Sequence, residues 1–393
     1  MKIALSIMGD ERWMAGEVIV RNILLSVREL GLEDVRLALV TGSGANEDRI
    51  RTRYPAADEY LFYPIPKRFS PSWLGNMISM RLLQRDRILD EFLERNGVDV
   101  FFGACFAVKY PSVATLSWIP DFQHVHMPEM FGDDERATRD RNFEQTARLS
   151  TRVILLSRAV AKDFRDRIPQ FSAQARVLSP ITRVPDSVYA SDPQGVATRY
   201  HLPTKFFYLP NQFWQHKNHQ LIFEAIRNLK SRGTPVTVVC TGYPSDYRNI
   251  NHFAMLWEKV SRWDIRDQII YLGLVPYDDV IGLMRQCICV VNPSRFEGWG
   301  ISIDEARSVG KRVLVSDIPT HREQDPPMAT YFDLQKGADL EERMLEIWNS
   351  SAPGPDLELE DVARSGLPGR IRSYAEGFVA VAREAHRERR ASA

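Results

Sequence analysis

Apolar runs alternate with amphipathic stretches along the first half of the chain. Each apolar run is short and ends in polar or turn-forming residues, which is typical of strands buried on both faces. Segments 17–30 and 84–97 instead repeat apolar residues every three to four positions, which predicts helices, and Gly97 is a suitable C-cap. The predicted strands are KIALSIM, VRLALVT, DVFFGA, VATLSWIPD and RVILLS. This alternation predicts a parallel sheet covered by helices.

After residue 203, apolar runs again alternate with predicted helices. The stretch from Pro180 to Pro203 is rich in Pro, Ser, Asp and Gly, which predicts a linker. Beyond it lie predicted helices near 218–233 and 252–262 and the apolar runs KFFYLPN, VTVVCTG, QIIYLG, CICVVNPS and RVLVSD. We predict an α/β protein of two doubly wound, Rossmann-like domains, 1–190 and 191–393, with the option that the terminal helix packs back on the first. Ligands of such sheets bind beyond the carboxyl ends of the strands, so we expect a cleft at which the domains face each other.

Composition and charge exclude several other classes. The 393 residues are 44% hydrophobic and 26% charged, as in ordinary globular proteins. Lys+Arg and Asp+Glu are each 51, so no net positive charge exists to attract nucleic acid. The 4 cysteines do not form a disulfide framework in a chain this long. Cys287 and Cys289 lie in an apolar run, so buried thiols are expected, with a zinc site as the alternative.

The sequence predicts a cytoplasmic protein. The amino-terminal MKIALSIMGDE meets acidic residues too soon for a signal peptide, and no apolar run is long enough to span a bilayer. The segment SPSWLGNMISMRLL at 70–83 has three interpretations: surface packing under a loop, an apolar flap over an acceptor, or a helix that touches a membrane. Under the last interpretation, the protein makes peripheral contact with the inner face of the membrane.

The motif SRFEGWGISIDEA carries the most informative chemistry. It follows a predicted strand, and its glycines precede a predicted helix whose free N–H groups and dipole favour a phosphate. Its two carboxylates, Glu297 and Glu305, do not bind phosphate but accept hydrogen bonds from hydroxyls. Hydroxyls on both sides of a phosphate describe a nucleotide sugar: ribose, diphosphate and sugar. Two unrelated surface acids are the alternative on spacing alone.

The form F-E-G-x-G…E-A resembles the retaining glycosyltransferases of family four, which belong to glycosyltransferase group 1 and have the GT-B fold. The flanking segments VVNPSRFEGWGISIDEARSVGKRVLVSDIPTHRE and IIYLGLVPYDDVIGLM are similar to that family in order and distance. The resemblance implies that Glu305 holds the ribose hydroxyls and that Glu297 faces the transferred sugar. It places the other donor-binding positions at Gly298, Trp299, Gly300, Ile301, Gly242 and Val275, with the base beside Gly273–Pro276.

The same resemblance implies a cation for the diphosphate. Lys217, in LPNQFWQHKNHQLIFEAI, lies between a predicted strand and a helix, where the family places a phosphate-binding lysine. The family usually has an arginine five residues earlier, but this chain has Gln212, which donates hydrogen bonds without charge. Either Lys217 carries most of the stabilisation, or Arg295 or His216 contributes.

The loop SWIPDFQHVHMPEMF supplies further candidates in the first half. Similar enzymes have His-Asp here, beside the donor sugar, whereas this chain has Pro120 followed by Asp121. We expect His124, or His126, to take over the missing contact, with both side chains on one side of an extended stretch. A zinc site at these histidines is the alternative. The predicted catalytic residues are therefore Glu297, Lys217, His124 and Asp121, with His126 and Gln212 as donor contacts.

The first strand–helix turn, IMGDERWMAGEVIV, contains Gly9 and Gly16 and resembles the family's glycine loop near the donor phosphates or the acceptor. The function implied is transfer of a hexose from a nucleotide-diphosphate sugar to a glycan or lipid-linked acceptor, with retention and without a metal or other cofactor, in polysaccharide or O-antigen biosynthesis. A non-catalytic nucleotide-sugar-binding subunit and a nucleotide-sugar epimerase are the alternatives. No nucleic-acid partner is expected.

Overall fold

The computed structural model describes residues 1–7, 15–104 and 108–392. It divides into two compact units, Met1–Ile181 with Gly369–Ala393, and Thr182–Pro368. Residues 182–190, assigned to the first domain from sequence, thus group with the second unit. The backbone N–H of Thr182 donates to Asp304 Oδ2 at 2.6 Å, and the guanidinium of Arg285 donates to the carbonyl of Val188.

The first unit contains a parallel sheet of seven strands in the order β3-β2-β1-β4-β5-β6-β7. The interior strand β1 pairs with both β2 and β4, so Ile3 lies opposite Leu37 on one side and Val100 on the other. The strands are β1 Lys2–Ser6, β2 Arg36–Gly42, β3 Glu59–Tyr63, β4 Val100–Gly103, β5 Ala114–Ile119, β6 Arg152–Leu155 and β7 Ala175–Val177.

Helices cover this sheet and include the end of the chain. They are α1 Ala15–Glu29, α2 Glu47–Arg53, α3 Pro71–Leu82, α4 Arg87–Arg95, α5 Gln123–His126, α6 Asp133–Leu149, α7 Arg158–Arg167 and the later part of α16 Leu357–Ser392. The rings of Phe102 on β4 and Phe378 on α16 meet edge to face, with centroids 5.7 Å apart. Glu384 of α16 pairs with Arg152 and Arg176, and the Arg176 hydrogen bond, aided by Arg152, lowers the pKa of Glu384 to about 2.

The second unit contains a parallel sheet of six strands in the order β10-β9-β8-β11-β12-β13. Its strands are β8 Phe207–Pro210, β9 Val238–Thr241, β10 Ile269–Tyr271, β11 Cys289–Asn292, β12 Val313–Ser316 and β13 Ala329–Phe332. Its helices are α8 Asp186–Ala190, α9 Pro193–Arg199, α10 His219–Ser231, α11 His252–Arg262, α12 Tyr277–Gln286, α13 Ile301–Ser308, α14 Pro319–Gln324, α15 Gly337–Ser350 and the start of α16.

Alternate residues of these strands face two different cores. Phe207 on β8 and Cys289 on β11 belong to one cluster, whereas their neighbours Tyr208 and Val290 belong to the other. A strand with apolar contacts on both faces needs a continuous apolar run, which explains the absence of alternation in its sequence. The thiols of Cys240, Cys287 and Cys289 are buried, and burial raises their pKa values, that of Cys287 to about 11.

The predicted linker at 180–203 is wrong over half of its length, because it contains α8 and α9. Helix α9 packs on α12 where Gly282 lies against Val196: a Cβ at Gly282 would meet Val196 Cγ2 at 2.8 Å. These helices escaped prediction because their apolar residues, Val188, Val196 and Ala197, are too few to show a period.

A buried ion pair ties this segment to α16. Arg285 on α12 binds both carboxylate oxygens of Glu360 at 2.7 and 2.9 Å. Its remaining N–H groups donate to the carbonyl oxygens of Val188, Tyr189 and Ser191. Helix α16 contains Pro368, at which the second unit ends. Among the helices of the described residues, none combines the length and the apolar character that crossing a membrane requires.

Candidate functional site

The candidate site lies at the carboxyl edge of the second sheet. Strands β9, β8, β11 and β12 are neighbours, so the residues that follow them meet at one edge. Asn211 follows β8, Gly242 follows β9 and Ser294 lies just beyond β11. A Cβ at Gly242, whose φ is +136°, would meet the carbonyl oxygen of Asn211 at 2.3 Å. Only glycine therefore lets these two loops approach so closely.

Lys217 and Glu297 form a direct ion pair at this edge. Nζ of Lys217 lies 2.6 Å from Oε1 of Glu297, and both side chains are largely buried. Burial alone would raise the pKa of Glu297, but the charge of Lys217 and the hydrogen bonds from Lys217 and Ser294 lower it below its usual value. Glu297 is therefore an ionised carboxylate at neutral pH, and Lys217 is its counter-ion.

A chain of polar side chains holds the Glu297 carboxylate in place. The hydroxyl of Ser294 lies 2.7 Å from Oε1 of Glu297 and 2.6 Å from Oδ1 of Asn292, and it donates to one of them at a time. Asn292 donates to the hydroxyl of Ser302, which in turn donates to Oδ1 of Asn211. All of these side chains are buried, so the network fixes the rotamer of Glu297 before any ligand arrives.

The glycine-containing loop is also held from the β12–α14 turn. The hydroxyl of Thr320 donates to the carbonyl of Glu297 at 2.8 Å, and the amide of Gln324 donates to the carbonyl oxygens of Trp299 and Gly300. Gly300 has φ +95° and lies at the start of α13, where no side chain caps the helix. The loop thus presents a helix N-terminus while its carbonyl oxygens are occupied elsewhere, which suits an anionic ligand.

Glu305 lies in the second turn of α13 and is partly buried. Burial, with the adjacent charge of Asp304, raises the pKa of Glu305 to about 8, while a hydrogen bond with Tyr277 acts in the opposite direction. The carboxylate of Asp304 already accepts a hydrogen bond from the backbone N–H of Thr182. Without ligand, Glu305 is therefore largely protonated at pH 7, unlike Glu297.

The turn that carries Lys217 is fixed by residues that the sequence interpretation missed. Gln215–Lys217 form a short 3-10 turn, and the N–H of Gln215 donates to Oδ2 of Asp246 at 2.9 Å. Asp246 also pairs with Arg248 at 2.9 Å, and both side chains are buried. Arg248 approaches Nδ1 of His216 at 3.4 Å. Nothing in their local sequence distinguishes Asp246 and Arg248 from ordinary loop charges.

His216 does not supply the charge that an arginine at position 212 would give. Burial, together with the charges of Lys217, Arg248 and Arg295, holds the pKa of His216 well below its usual value. The imidazole is neutral at physiological pH. Gln212 is partly buried and its Oε1 has no hydrogen-bond partner among the described residues. The arginine of the family pattern is thus replaced by an uncharged amide.

Some of the unsatisfied buried polar atoms lie in the loops that carry the pair. Within the described part of the chain, buried atoms without a partner include Nδ2 of Asn211, Oε1 of Gln212, Nε1 of Trp299 and Nε2 of His321. His321 donates from Nδ1 to the carbonyl of Ser316 at 2.8 Å, so its Nε2 is an acceptor. Burial lowers the pKa of His321 to about 4. Two of these atoms are donors and two are acceptors, so together they match hydroxyl groups, which both donate and accept hydrogen bonds.

The predicted residues of the first unit have other surroundings. The expectation that His124 and His126 share one side of an extended stretch is wrong, because Gln123–His126 form a helical turn. Oδ1 of Asp121 accepts the N–H of Gln123, which starts that turn. His124 is buried with Nε2 3.0 Å from Asp140, and His126 is exposed with Nε2 2.8 Å from Asp163.

His124 lines a cavity of about 190 Å³ in the first unit, with Val125, Pro128, Arg136, Asp140 and Arg167. Gly16 lies in the first turn of α1, whereas Gly9 falls outside the described residues. In the second unit, Val275 lies in the loop after β10. Among the residues that the structure describes, no group of three or more His, Cys, Asp or Glu is arranged to hold a metal ion.

Comparisons with known proteins bear on the fold and on residues 201–325. Residues 201–325 match the family described as glycosyl transferases group 1. No curated protein sequence matches the chain. Among solved structures, a glycosyltransferase from Rickettsia africae is 12% identical with a TM-score of 0.64, over 99% of this chain and 98% of that one. Sucrose-phosphate synthase from Thermosynechococcus elongatus is 13% identical with a TM-score of 0.66, over 99% and 98%.

Anabaena HepE in complex with UDP and glucose is 13% identical with a TM-score of 0.62, over 98% of both chains. At such identities these likenesses establish the fold, and the predicted GT-B class with two Rossmann-like units is confirmed. The family match covers the segment that contains Lys217, Glu297 and Glu305, which is thus similar to glycosyl transferases group 1.

Proposed function

We propose that this protein transfers a glycosyl group from a nucleotide-diphosphate sugar to an acceptor hydroxyl. The observation that carries the proposal is the buried Lys217–Glu297 pair at the carboxyl edge of the second sheet, inside the segment that matches group 1 glycosyl transferases. The structurally similar HepE has been solved in complex with UDP-glucose, a ligand of the proposed class.

The donor is bound by complementary groups along the edge. Glu305 accepts the ribose hydroxyls, and the N–H groups of Gly298, Trp299, Gly300 and Ile301 bind the diphosphate at the start of α13. Gly242 and Val275 lie beside the nucleoside, and Gln212 donates its amide to a phosphate oxygen. The unpartnered Nε2 of His321 and Nδ2 of Asn211 supply an acceptor and a donor for the sugar hydroxyls.

Transfer breaks the bond between the anomeric carbon and the diphosphate oxygen, which leaves with the electron pair. The acceptor oxygen forms a new bond to that carbon, and its proton passes to the departing diphosphate. Lys217 and the N–H groups of α13 stabilise the charge that grows on the leaving group, while the Glu297 carboxylate stabilises the oxocarbenium character of the sugar. This electrostatic assistance comes from groups that are already oriented, so little reorganisation is required.

The ion pair gives Lys217 and Glu297 a second role. Before the donor binds, each neutralises the other, which keeps two charges tolerable at a largely buried position. When the diphosphate arrives, Lys217 shares its protons between the phosphate and Glu297. The carboxylate is then less neutralised and better able to stabilise positive charge on the sugar.

We further propose the finer features that the family resemblance implies. The transferred group is a hexose, such as mannose or a similar sugar, and the new bond retains the anomeric configuration by a front-face route. The protein's own cations and N–H groups replace a metal. The acceptor is a glycan or lipid-linked glycan of bacterial polysaccharide or O-antigen type, bound by the first unit, where Asp121, His124, His126 and Gly16 are candidate contacts. The reaction takes place in the cytoplasm at the inner face of the membrane.

A donor screen tests the proposal. Purified protein is melted with each nucleoside diphosphate and its sugars, and hits are tested for release of the nucleoside diphosphate with and without acceptor glycans. A ligand at a hundredfold excess over its dissociation constant stabilises the protein by roughly 2.7 kcal/mol. Absence of a shift with every nucleotide would overturn the proposal. A shift without turnover would favour a binding subunit, the alternative that Gln212 keeps open.

A matched pair of lysine variants then tests the site. Lys217→Met should abolish the nucleotide-dependent shift and most turnover. Lys162→Met is the control, because Lys162 also pairs with a carboxylate, Asp166, at 2.6 Å, but both of those side chains are exposed. Equal losses in both variants, or none in either, would contradict the assignment of Lys217.

A further inference from the structure

The cavity of about 190 Å³ in the first unit can hold a small ligand. It is formed where the short helix α5 and the residues after it meet α6 and the end of α7. Its lining residues are His124, Val125, Pro128, Arg136, Asp140 and Arg167. The cavity is smaller than the pockets that bind drug-sized ligands, but much larger than the roughly 30 Å³ of one water molecule. It therefore suits a single small organic molecule.

His124 is fixed in this cavity with one ring nitrogen unused. Its side chain is 1% exposed, and its Nε2 lies 3.0 Å from Oδ1 of Asp140. Three aromatic rings surround the imidazole at centroid distances between 5.6 and 6.4 Å, those of Phe122, Phe131 and Phe143. Among the residues that the structure describes, buried Nδ1 of His124 has no hydrogen-bond partner. An unpaired buried polar atom is unfavourable, so a ligand that bonds to Nδ1 removes a cost.

The contact with Asp140 decides what Nδ1 of His124 can bind. An ionised carboxylate only accepts hydrogen bonds, so Nε2 of His124 carries the proton that Asp140 accepts. In a neutral imidazole, the other nitrogen is then an acceptor. Nδ1 therefore requires a ligand that offers an O–H or N–H group.

Arg136 supplies a donor in the same cavity. Its Nε is buried and also lacks a partner within the described part of the chain. Its terminal Nη2 pairs with Asp133 at the start of α6. The cavity thus has one unused acceptor and one unused donor. Hydroxyl groups satisfy both, because each donates one hydrogen bond and accepts others.

The charges around the cavity are already balanced. Arg167 pairs with Asp140 at 2.7 Å, and Arg136 pairs with Asp133. An anionic ligand would have to compete with these carboxylates for the guanidinium groups and would lie close to Asp140. Val125 adds an apolar surface. Balanced charge, hydrogen-bonding atoms of both kinds and an apolar surface favour a neutral polyhydroxyl compound over a phosphate or a carboxylate.

We propose that this cavity binds one neutral sugar residue of a glycan. The sugar hydroxyls donate to Nδ1 of His124 and accept from Nε of Arg136. The carbon-bound hydrogens of the ring pack on Val125 and Pro128. That this sugar belongs to the acceptor rests on the function proposed above, whereas its binding in the cavity does not.

Ligand-observed NMR of the full chain tests the cavity, because the method detects weak binding of single sugars. Saturation-transfer difference spectra are recorded with the methyl glycosides of mannose, glucose, galactose and N-acetylglucosamine, and inorganic phosphate is added as a competitor. At least one glycoside should bind, and it should bind equally to the Lys217→Met variant, in which the donor site is impaired. In that variant phosphate should not displace it. No binding by any glycoside, loss of binding in Lys217→Met, or displacement by phosphate would overturn the proposal.

Two conservative substitutions test the hydrogen bonds. His124→Gln keeps a donor for Asp140 but has no acceptor in place of Nδ1, and Arg136→Lys keeps the positive charge but has no N–H in place of Nε. Each should weaken glycoside binding by roughly tenfold. His124→Asn, whose amide oxygen takes the place of Nδ1, should recover part of the loss. The control is Arg141→Lys, an exposed position of the same helix, and it should bind like the unaltered protein.

Thermal unfolding and kinetics separate this proposal from the proposed function. Each variant should remain folded and keep the nucleotide-dependent shift in melting temperature. With an active donor and acceptor, His124→Gln should raise the KM for the acceptor by roughly tenfold and leave that for the donor unchanged. An unchanged acceptor KM would overturn the assignment of the bound sugar to the acceptor. Glycoside binding without any nucleotide shift would contradict the proposed function alone, and a nucleotide shift with glycoside binding unaltered in both cavity variants would contradict the cavity alone.

Discussion

Two of the buried ion pairs in the second unit differ in their surroundings. Arg285 and Glu360 satisfy each other completely, with both carboxylate oxygens bound and the other N–H groups donating to main-chain carbonyls. Lys217 and Glu297 leave part of their hydrogen-bonding capacity unused. Among the described residues, Nζ of Lys217 donates one hydrogen bond although an ammonium group has three protons. In the part of the chain that the structure describes, several buried polar atoms near Glu297 lack partners, whereas Arg285 and Glu360 have no such atom.

The difference is the one expected between a pair that only stabilises the fold and a pair that takes part in the function proposed above. A buried pair that is complete fixes the packing of elements and has nothing to offer a ligand. A buried pair whose hydrogen-bonding capacity is only partly used has a lower stabilising value but can exchange partners. Burial and charge are alike in the two cases, so unsatisfied capacity is the more informative observation.

Removing Arg285 should give the largest effect on stability. Arg285→Met leaves Glu360 buried without a counter-ion and frees three carbonyl oxygens, so we expect the free energy of unfolding to fall by about 3–5 kcal/mol. Denaturant titration measures this, and turnover per folded molecule should be unchanged. Arg322→Met, which breaks the exposed pair with Asp317, is the control and should change stability by less than about 0.5 kcal/mol. A loss of turnover at full stability would contradict the structural role of Arg285.

Altering Glu297 should lower turnover strongly and stability only weakly. Glu297→Gln keeps the shape and the Ser294 contact but removes the negative charge, so turnover should fall by about 10²–10³-fold. Its effect on the free energy of unfolding should be smaller than that of Arg285→Met. Steady-state release of nucleoside diphosphate, together with denaturant titration, measures both quantities. Near-normal turnover would show that the Glu297 charge takes no part in the reaction.

The raised pKa of Glu305 predicts a pH dependence of stability. The folded protein keeps the proton up to a pKa of about 8, whereas the unfolded chain releases it near the usual value for glutamate. The folded state therefore binds more protons between these values, and stability falls as pH rises through this window. Glu305→Gln should remove the loss, raising stability by on the order of 4 kcal/mol at pH 8.5 and by less than about 1 kcal/mol at pH 5. Thermal melts at both pH values test it, and an equal gain at both would contradict the cause.

Loosening the turn that carries Lys217 should lower turnover less than any of the substitutions at Glu297 or Lys217. Asp246→Asn removes the charge that pairs with Arg248 and weakens the contact to the N–H of Gln215. Lys217 should then be less well placed, and turnover should fall by about tenfold with a modest rise in KM. Asp264→Asn is the control, since Asp264 is an exposed partner of Lys230. Unchanged kinetics in the Asp246 variant would exclude a positioning role.

The regular parts of the fold were predictable because burial on both faces leaves a visible pattern. The runs around β1, β2, β4, β5 and β6, and those around β8 to β12, all correspond to strands. β3, with its partly buried EYLFY, and β13, with ATYF, were not identified, since their apolar content is less continuous. Short helices α8 and α9 were mistaken for a linker because the sequence alone does not reveal that Val196 packs against Gly282.

The site was predictable only where the chain itself supplies the pattern. Glu297 and Glu305 are separated by a fixed spacing around glycines, and Lys217 follows a strand, so all three could be named. Their protonation states could not, because these depend on what burial brings near each carboxylate: Lys217 beside Glu297, Asp304 beside Glu305. Asp246 and Arg248 were missed for the same reason, since their relation to the Lys217 turn exists only in three dimensions.

The buried cysteines allow opening of the second unit to be measured by chemical modification. Cys240, Cys287 and Cys289 are enclosed, and only an exposed thiolate is alkylated at an appreciable rate. Alkylation therefore requires the sheet to open, and when reclosing is faster than alkylation its rate reports the free energy of that opening. In a Cys105→Ser background, which removes the one cysteine outside the described residues, alkylation reports on this unit alone. A donor that binds the closed form slows alkylation in proportion to its occupancy, so affinity can be measured without an acceptor.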